Sequence, residues 1–269
     1  MSRGAWGFLV FISLLLVGLG MTLYLLGTDM ARLMLQQERR DAPLVLVRLM
    51  APANLSASEV AAADDAALVP WLMPQLDRFG GDPVLLSRAV PTADGATRWP
   101  LLSLVIHDQG GQFVEQLGLS DLRNYTGLPA DSWTDFMVLQ ALGTELPPPM
   151  AEPDGVLVAH LARWPDGQSD DAFAERWLAD IEDTLASFDG SLIWRARLQM
   201  LASSSSPSWD ALWLYRFPTA AARDAWLADP ERRTLHALQR RMVAADSWLL
   251  LEAVSMPAQG SVPDIPTAP

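Results

Sequence analysis

Apolar and polar positions follow one pattern from residue 43 onward, and that pattern restarts near residue 155. Ahead of it lies Trp6 to Leu26, WGFLVFISLLLVGLGMTLYLL, a run without a charged residue. Its length matches the roughly 20 residues a helix needs to cross a bilayer. Trp6 and Tyr24 sit near its ends, where amphipathic aromatics favour the interface. No small-x-small cleavage pattern follows Leu26, so residues 6–26 read as an uncleaved transmembrane helix after a tail of residues 1–5. Residues 27–42 read as a helical stalk, with Met30, Leu33, Met34 and Gln37 at helical spacing and Pro43 ending it.

Residues 43–144 form the first patterned segment. Leu44 to Met50 predicts a strand, and Glu59 to Phe79 a helix carrying Leu68, Leu72, Leu76 and Phe79 on one face. Pro70 and Pro74 interrupt that helix, Pro70 fitting the first position of a second piece. Val84 to Val90, Trp99 to Ile106 and Phe136 to Leu142 predict further strands, with a helical or irregular region from Phe113 to Tyr125. Residues 145–154, with three successive prolines, read as a stiff linker.

Residues 155–255 repeat the order. Strands are expected at Val156 to Trp164, Leu192 to Leu201, Trp209 to Phe217 and Ser247 to Val254. A helix with Phe173, Trp177, Ile181, Leu185 and Phe188 on one face follows the first of these. Thr219 caps another helix, and Asp229–Pro230 break it and start a last one. Leu235, Leu238 and Met242 are expected to carry the apolar stripe of that last helix. Residues 256–269, rich in Pro and small residues, are expected to be disordered.

The two segments match residue by residue. Leu68, Leu72, Leu76 and Phe79 correspond to Trp177, Ile181, Leu185 and Phe188 at one constant offset. Trp99 corresponds to Trp209, and Ala130-Asp131-Ser132-Trp133 to Ala245-Asp246-Ser247-Trp248. Each segment therefore reads β-α-β-β-α-β. In the second, the run Tyr215-Arg216-Phe217-Pro218-Thr219-Ala220, then Trp226-Leu227-Ala228-Asp229-Pro230-Glu231, then Arg240 or Arg241, resembles the dimeric α/β-barrel superfamily of ferredoxin-like domains. In that superfamily two such domains pair their sheets into a barrel. The resemblance implies an α+β fold here: an N-terminal transmembrane helix followed by two tandem ferredoxin-like repeats forming an intramolecular pseudo-dimer. It is a resemblance of fold and supplies no catalytic residue set.

Composition narrows the chemistry. Half of the chain is hydrophobic, enough for a sizeable core. All 19 basic residues are Arg, which excludes lysine Schiff-base chemistry, and the net charge of −13 argues against a nucleic-acid partner. Without cysteine there are no disulfides, thiolate nucleophiles or Cys-ligated metals. No metal site and no cofactor are expected. Only Arg3 precedes the apolar run, whereas Arg32, Arg39 and Arg40 follow it, which counted literally keeps the large domain cytoplasmic. A single N-terminal anchor commonly exports its domain, and the expected location is a bacterial-type inner membrane with the domain periplasmic.

Candidate chemistry is thin, and no catalytic residue is assignable. His107 ends one expected strand and His160 lies within another, in different segments, so both are candidates to face the space between the sheets. The plainer reading makes His107 an edge residue and His160 a hydrogen-bonded sheet residue. Arg195 and Arg197 share a strand face, near Trp213 and Tyr215 of the next strand, and Arg beside aromatics suits an anionic aromatic ligand. A polar outer face is the plainer alternative. The candidate ligand set is His107, His160, Arg195, Trp213 and Tyr215. Asp64–Asp65 and Asp170–Asp171 read as helix-start charge. His236 reads as solvated, as do Arg232, Arg233, Arg240 and Arg241 unless they meet anionic lipid. Two functions fit: a membrane-anchored domain that binds a partner protein or small ligand, or a cofactor-independent monooxygenase-like enzyme acting on a small hydrophobic or aromatic molecule in the barrel cavity.

Overall fold

The computed structural model describes residues 43–72, 81–90, 98–108, 133–142, 146–148, 155–165, 171–204 and 208–255. The expected transmembrane helix, the stalk, most of the linker, the region 109–132 and the C-terminal tail lie outside them. No helix among the described residues is long and apolar enough to cross a membrane.

In chain order the elements are β1 (Leu44–Pro52), α1 (Ala57–Ala62), α2 (Asp65–Leu72), β2 (Asp82–Val90), β3 (Leu101–His107), β4 (Trp133–Leu142), β5 (Val156–Arg163), α3 (Asp171–Ala186), β6 (Ser191–Ser203), β7 (Ala211–Phe217), α4 (Ala220–Ala228), α5 (Pro230–Gln239) and β8 (Ala245–Ala253). In place of the start of the expected helix Glu59 to Phe79 stand two short helices, and residues 73–79 of that expectation lie outside the described residues. Ser56 opens α1 with a capping box through Glu59. Asp64 accepts a hydrogen bond from Ala67 N at 2.8 Å and so starts a second helix, leaving Pro70 in its latter half rather than at its first position. The expected caps of α4 and α5 form: Thr219 accepts from Ala222 N and Asp229 from Arg232 N, with Pro230 next.

The strands close into one barrel in the order β1-β3-β2-β8-β5-β7-β6-β4. Read by halves, the first four strands lie fourth–first–third–second, and so do the last four. All neighbours are antiparallel. Two seams join the halves, β2 to β8 (Ser87 opposite Ala253) and β4 to β6 (Leu142 opposite Arg197). Arg88 reinforces the first seam through Glu252, Asp65 and the Ala63 carbonyl.

Strand alternation decides which residues meet. Val45, Val47 and Leu49 of β1, Leu157, Ala159 and Leu161 of β5, and Leu212 and Leu214 of β7 point into the barrel. Trp99 and Trp209 meet inside it edge to face, with ring centroids 6.0 Å apart. An eight-stranded barrel is just wide enough for side chains to fill, and apolar ones fill this one. The alternate residues face outward, where helices cover them. β1 and β5 are buried on both faces, which explains their nearly unbroken apolar runs. Gly155 enters β5 at φ 105°, where any Cβ would strike the carbonyl oxygen of Phe217.

Candidate functional site

The outward face of β5, β7 and β8 is aromatic. Trp213, Tyr215 and Phe217 alternate along β7, and Trp248 stands on β8. His160 lies between them on β5, registered opposite Trp213 on one side and Trp248 on the other. Its ring stacks on Trp248 at 3.8 Å and 8°, and on Trp213 at 5.1 Å and 26°. Three neighbouring strands thus carry a continuous stack of flat rings.

Three helices cover this face. From α3 come Trp177, Leu178, Ile181 and Leu185, and from α4 comes Trp226, whose Nε1 donates to Thr184 Oγ1 at 3.0 Å. The third helix is rotated part of a turn from its expected orientation: of the expected stripe, Leu235 packs against the layer and Leu238 does not. α5 faces the sheet with Arg232, His236 and Gln239, which helical spacing places on one side, and leaves Leu238 47% exposed. Arg232 and Gln239 are buried and His236 is half-buried, so the solvated positions expected for Arg232 and His236 are not observed. The cause is tertiary: the aromatic sheet face accepts a guanidinium and an imidazole better than it would accept exposed polar groups elsewhere on so short a helix.

Each of these polar groups has a distinct position. Gln239 Nε2 lies 3.3 Å from His160 Nε2. His236 Nε2 donates to Asp246 Oδ2 at 2.5 Å, and Trp248 Nε1 donates to the same oxygen at 3.1 Å. Arg232 Cζ lies 4.4 Å from the Trp248 ring centroid and 4.9 Å from that of Trp226. Burial pushes the His160 imidazole well below its usual range, so it is neutral at neutral pH. Burial also raises the Tyr215 phenol well above 10, which keeps it protonated. Arg232 is pushed down to about 10 by burial and stays a cation at neutral pH. Burial works to raise Asp246, but the His236 and Trp248 hydrogen bonds and the nearby imidazoles outweigh it and leave the carboxyl below its usual range.

Several atoms of this layer are buried and have no hydrogen-bond partner among the described residues: His160 Nδ1, Tyr215 OH, Arg232 Nε, Gln239 Oε1 and Trp177 Nε1. A buried polar group without a partner costs about 1–3 kcal/mol, so a cluster of them is unusual in a layer that serves packing alone. No group of three or more His, Asp or Glu among the described residues could hold a metal ion.

Of the residues singled out in the sequence, His160, Trp213 and Tyr215 share this layer. Arg195 is registered opposite Trp213 but is exposed at the rim. His107 ends β3, as expected, and is buried there, in the other half. Neither histidine faces the space between the sheets. His160 contacts Trp177 of α3, and His107 alternates with Ile106, which packs against the barrel core. The residues that sequence reasoning missed are Trp226, Arg232, His236, Gln239, Asp246 and Trp248. One signal was available: Asp246 and Trp248 are two apart on a strand and so must share a face.

No family model matches the chain and no curated protein matches it. Among solved structures it is similar to an anthrone oxidase-like protein, at 11% identity and TM-score 0.48, covering 82% of this chain and 98% of that one. A proposed monooxygenase from Lactobacillus acidophilus NCFM is similar at 12% identity and TM-score 0.38, covering 79% and 94%. A dimeric ferredoxin-like protein of unknown function from Thermobifida fusca YX covers 37% of this chain and 92% of its own, at 20% identity and TM-score 0.26.

Proposed function

We propose that the chain binds a small planar aromatic molecule between the β5–β7–β8 face and helices α3–α5, and oxygenates it with dioxygen. The observation that carries this reading is the sheet-facing side of α5, which sets Arg232, His236 and Gln239 against a wall of indoles while Leu238 faces solvent. The barrel interior is excluded as the place of reaction, because apolar side chains fill it. The two halves, each with the strand order of a ferredoxin-like domain, are proposed to be tandem repeats in which the second carries the site. The run 6–26 is proposed to hold the domain at a membrane, on the periplasmic side.

The reaction is the conversion of an activated ring CH2 to a ketone. Two C–H bonds break. One oxygen atom of O2 becomes the carbonyl, the other leaves with the two hydrogens as water, and O2 is the oxidant. The chain's residues supply proton handling. His160 is neutral, and Nε2 is tied to Gln239. When the Gln239 amide presents its oxygen to an Nε2–H, Nδ1 is left as a base that can take the first ring proton. Tyr215 keeps its proton and stands in the same layer as a neutral donor.

The test uses the whole chain in mild detergent with anthrone as probe. Oxygen uptake above the protein-free rate is expected, with label from 18O2 appearing in the ketone product, and His160→Phe should lower the rate by about 10²-fold or more. Stabilisation by anthrone without oxygen uptake would reduce the function to ligand binding. Neither uptake nor stabilisation would remove the proposal.

A further inference from the structure

Arg232 holds a buried positive charge whose in-plane donor is unanswered. The side chain is 7% exposed, and two indole faces lie against it. Indole faces attract a guanidinium, but they do not engage the N–H groups, which lie in its plane. Its Nε is buried and has no hydrogen-bond partner among the described residues. The nearest acidic group of the layer is already engaged. Asp246 Oδ2 accepts from His236 and Trp248, and Oδ1 lies 3.6 Å from Arg240.

Tyr215 is the second half of the arrangement. Its ring centroid lies 5.7 Å from that of Trp226 and 6.0 Å from that of Trp248, the two indoles that flank Arg232. Its hydroxyl is fully buried and likewise has no partner among the described residues. A guanidinium held against two tilted aromatic faces loses little freedom on binding, and its unanswered Nε–H is left for an oxyanion. A phenol beside it supplies a second donor. Asp246 is the counter-charge of the layer but its oxygens are taken by His236, Trp248 and Arg240, so a buried guanidinium with an unanswered Nε–H favours a ligand that brings a further anion.

We infer that Arg232 and Tyr215 form an anion-recognition subsite, which takes a carboxylate carried by the aromatic ligand. The inference rests on the ligand occupying this layer, as proposed above, and adds its charge. One carboxylate oxygen meets Arg232 Nε–H and the other meets the Tyr215 hydroxyl, while the ring of the ligand lies along the indoles. The carboxylate is a handle and not the reacting centre, which belongs near His160.

The experiment compares 1-naphthoate with 1-naphthalenemethanol, which has the same ring and no charge, on the whole chain in mild detergent. Tryptophan fluorescence quenching gives the affinities. The naphthoate is expected to bind at least about tenfold more tightly, the margin set by a charge-assisted hydrogen bond. That margin should vanish in Arg232→Gln and shrink in Tyr215→Phe. Equal binding of the two probes by the unaltered chain would overturn the anion subsite and leave the aromatic layer standing. Binding of neither overturns both. A preference that persists in an Arg232→Gln protein with an unchanged near-ultraviolet dichroism spectrum overturns the assignment to Arg232. The comparison of probes on the unaltered chain needs no variant, so a misfolded Arg232→Gln cannot rescue the idea.

Discussion

Arg48 and His160 occupy matching positions in the two halves of the barrel. Each sits on the first strand of its half and faces outward. Arg48 is registered opposite Ser103 of the third strand and Val138 of the fourth. His160 is registered opposite Trp213 of the third strand and Trp248 of the fourth. Arg48 is buried and donates from Nε to Ser103 Oγ at 2.8 Å, a polar contact closed within the sheet. His160 is buried between two indoles with Nδ1 unanswered among the described residues. The same position in the strand order thus closes a hydrogen bond in one half and leaves a ring nitrogen unanswered among the described residues in the other.

The largest effect expected from breaking this comparison is at Arg48. Arg48→Ala removes a buried side chain and strands the Ser103 hydroxyl, and should cost about 2–4 kcal/mol of stability in urea unfolding. Naphthoate binding by the protein that remains folded should be unchanged. An equal loss of binding would mean that the two layers act together, against the division drawn here.

A smaller effect separates His160 by pH. Its folded-state value lies below the ordinary 6.5, so unfolding takes up a proton once the pH is under 6.5. Stability contributed by keeping this imidazole neutral is therefore full above 6.5 and declines as acid is added below it. Asp246, whose value is lowered, gives up its contribution only further down, at and below the carboxylate range. Urea midpoints measured from pH 7 to pH 5 should fall in the unaltered chain and stay nearly level in His160→Phe. A slope that persists in the variant assigns the acid sensitivity elsewhere.

The smallest expected effect is at Tyr215. Its hydroxyl makes no hydrogen bond among the described residues, so Tyr215→Phe should leave stability unchanged or raise it by up to about 1 kcal/mol. A loss of 2 kcal/mol or more on that scale would show that the hydroxyl is satisfied in solution, and the subsite argument would weaken with it.

Much of the fold was legible because it rests on local alternation. The strands around Leu44, Val84, Val156 and Trp209 announced themselves as apolar runs between turns, and the paired tryptophans Trp99 and Trp209 do meet at the centre of the barrel. The site was less legible because it depends on how one helix is rotated. The spacing of Leu235, Leu238 and Met242 pointed the apolar side of α5 inward; Leu235 does pack there, but the opposing aromatic wall also takes Arg232 and His236, and Leu238 is left outside. Arg232 and His236 therefore read as solvent-facing in a sequence that cannot show what lies opposite. Asp246 and Trp248 were noticed as a repeated tetrapeptide, and their shared strand face went unused.

Closure of the barrel within a single chain has a consequence for how such a protein can change over time. Where two identical subunits close a barrel, every substitution is made twice, and a residue that helps one side must be tolerated on the other. Here the β2–β8 and β4–β6 seams join non-identical partners. Each half answers to its own substitutions. One can settle into a plain internal hydrogen bond, as at Arg48 and Ser103, while its counterpart carries the strain of unanswered polar groups. A barrel closed by one chain lets two halves of like strand order differ where symmetry would have forced them to match.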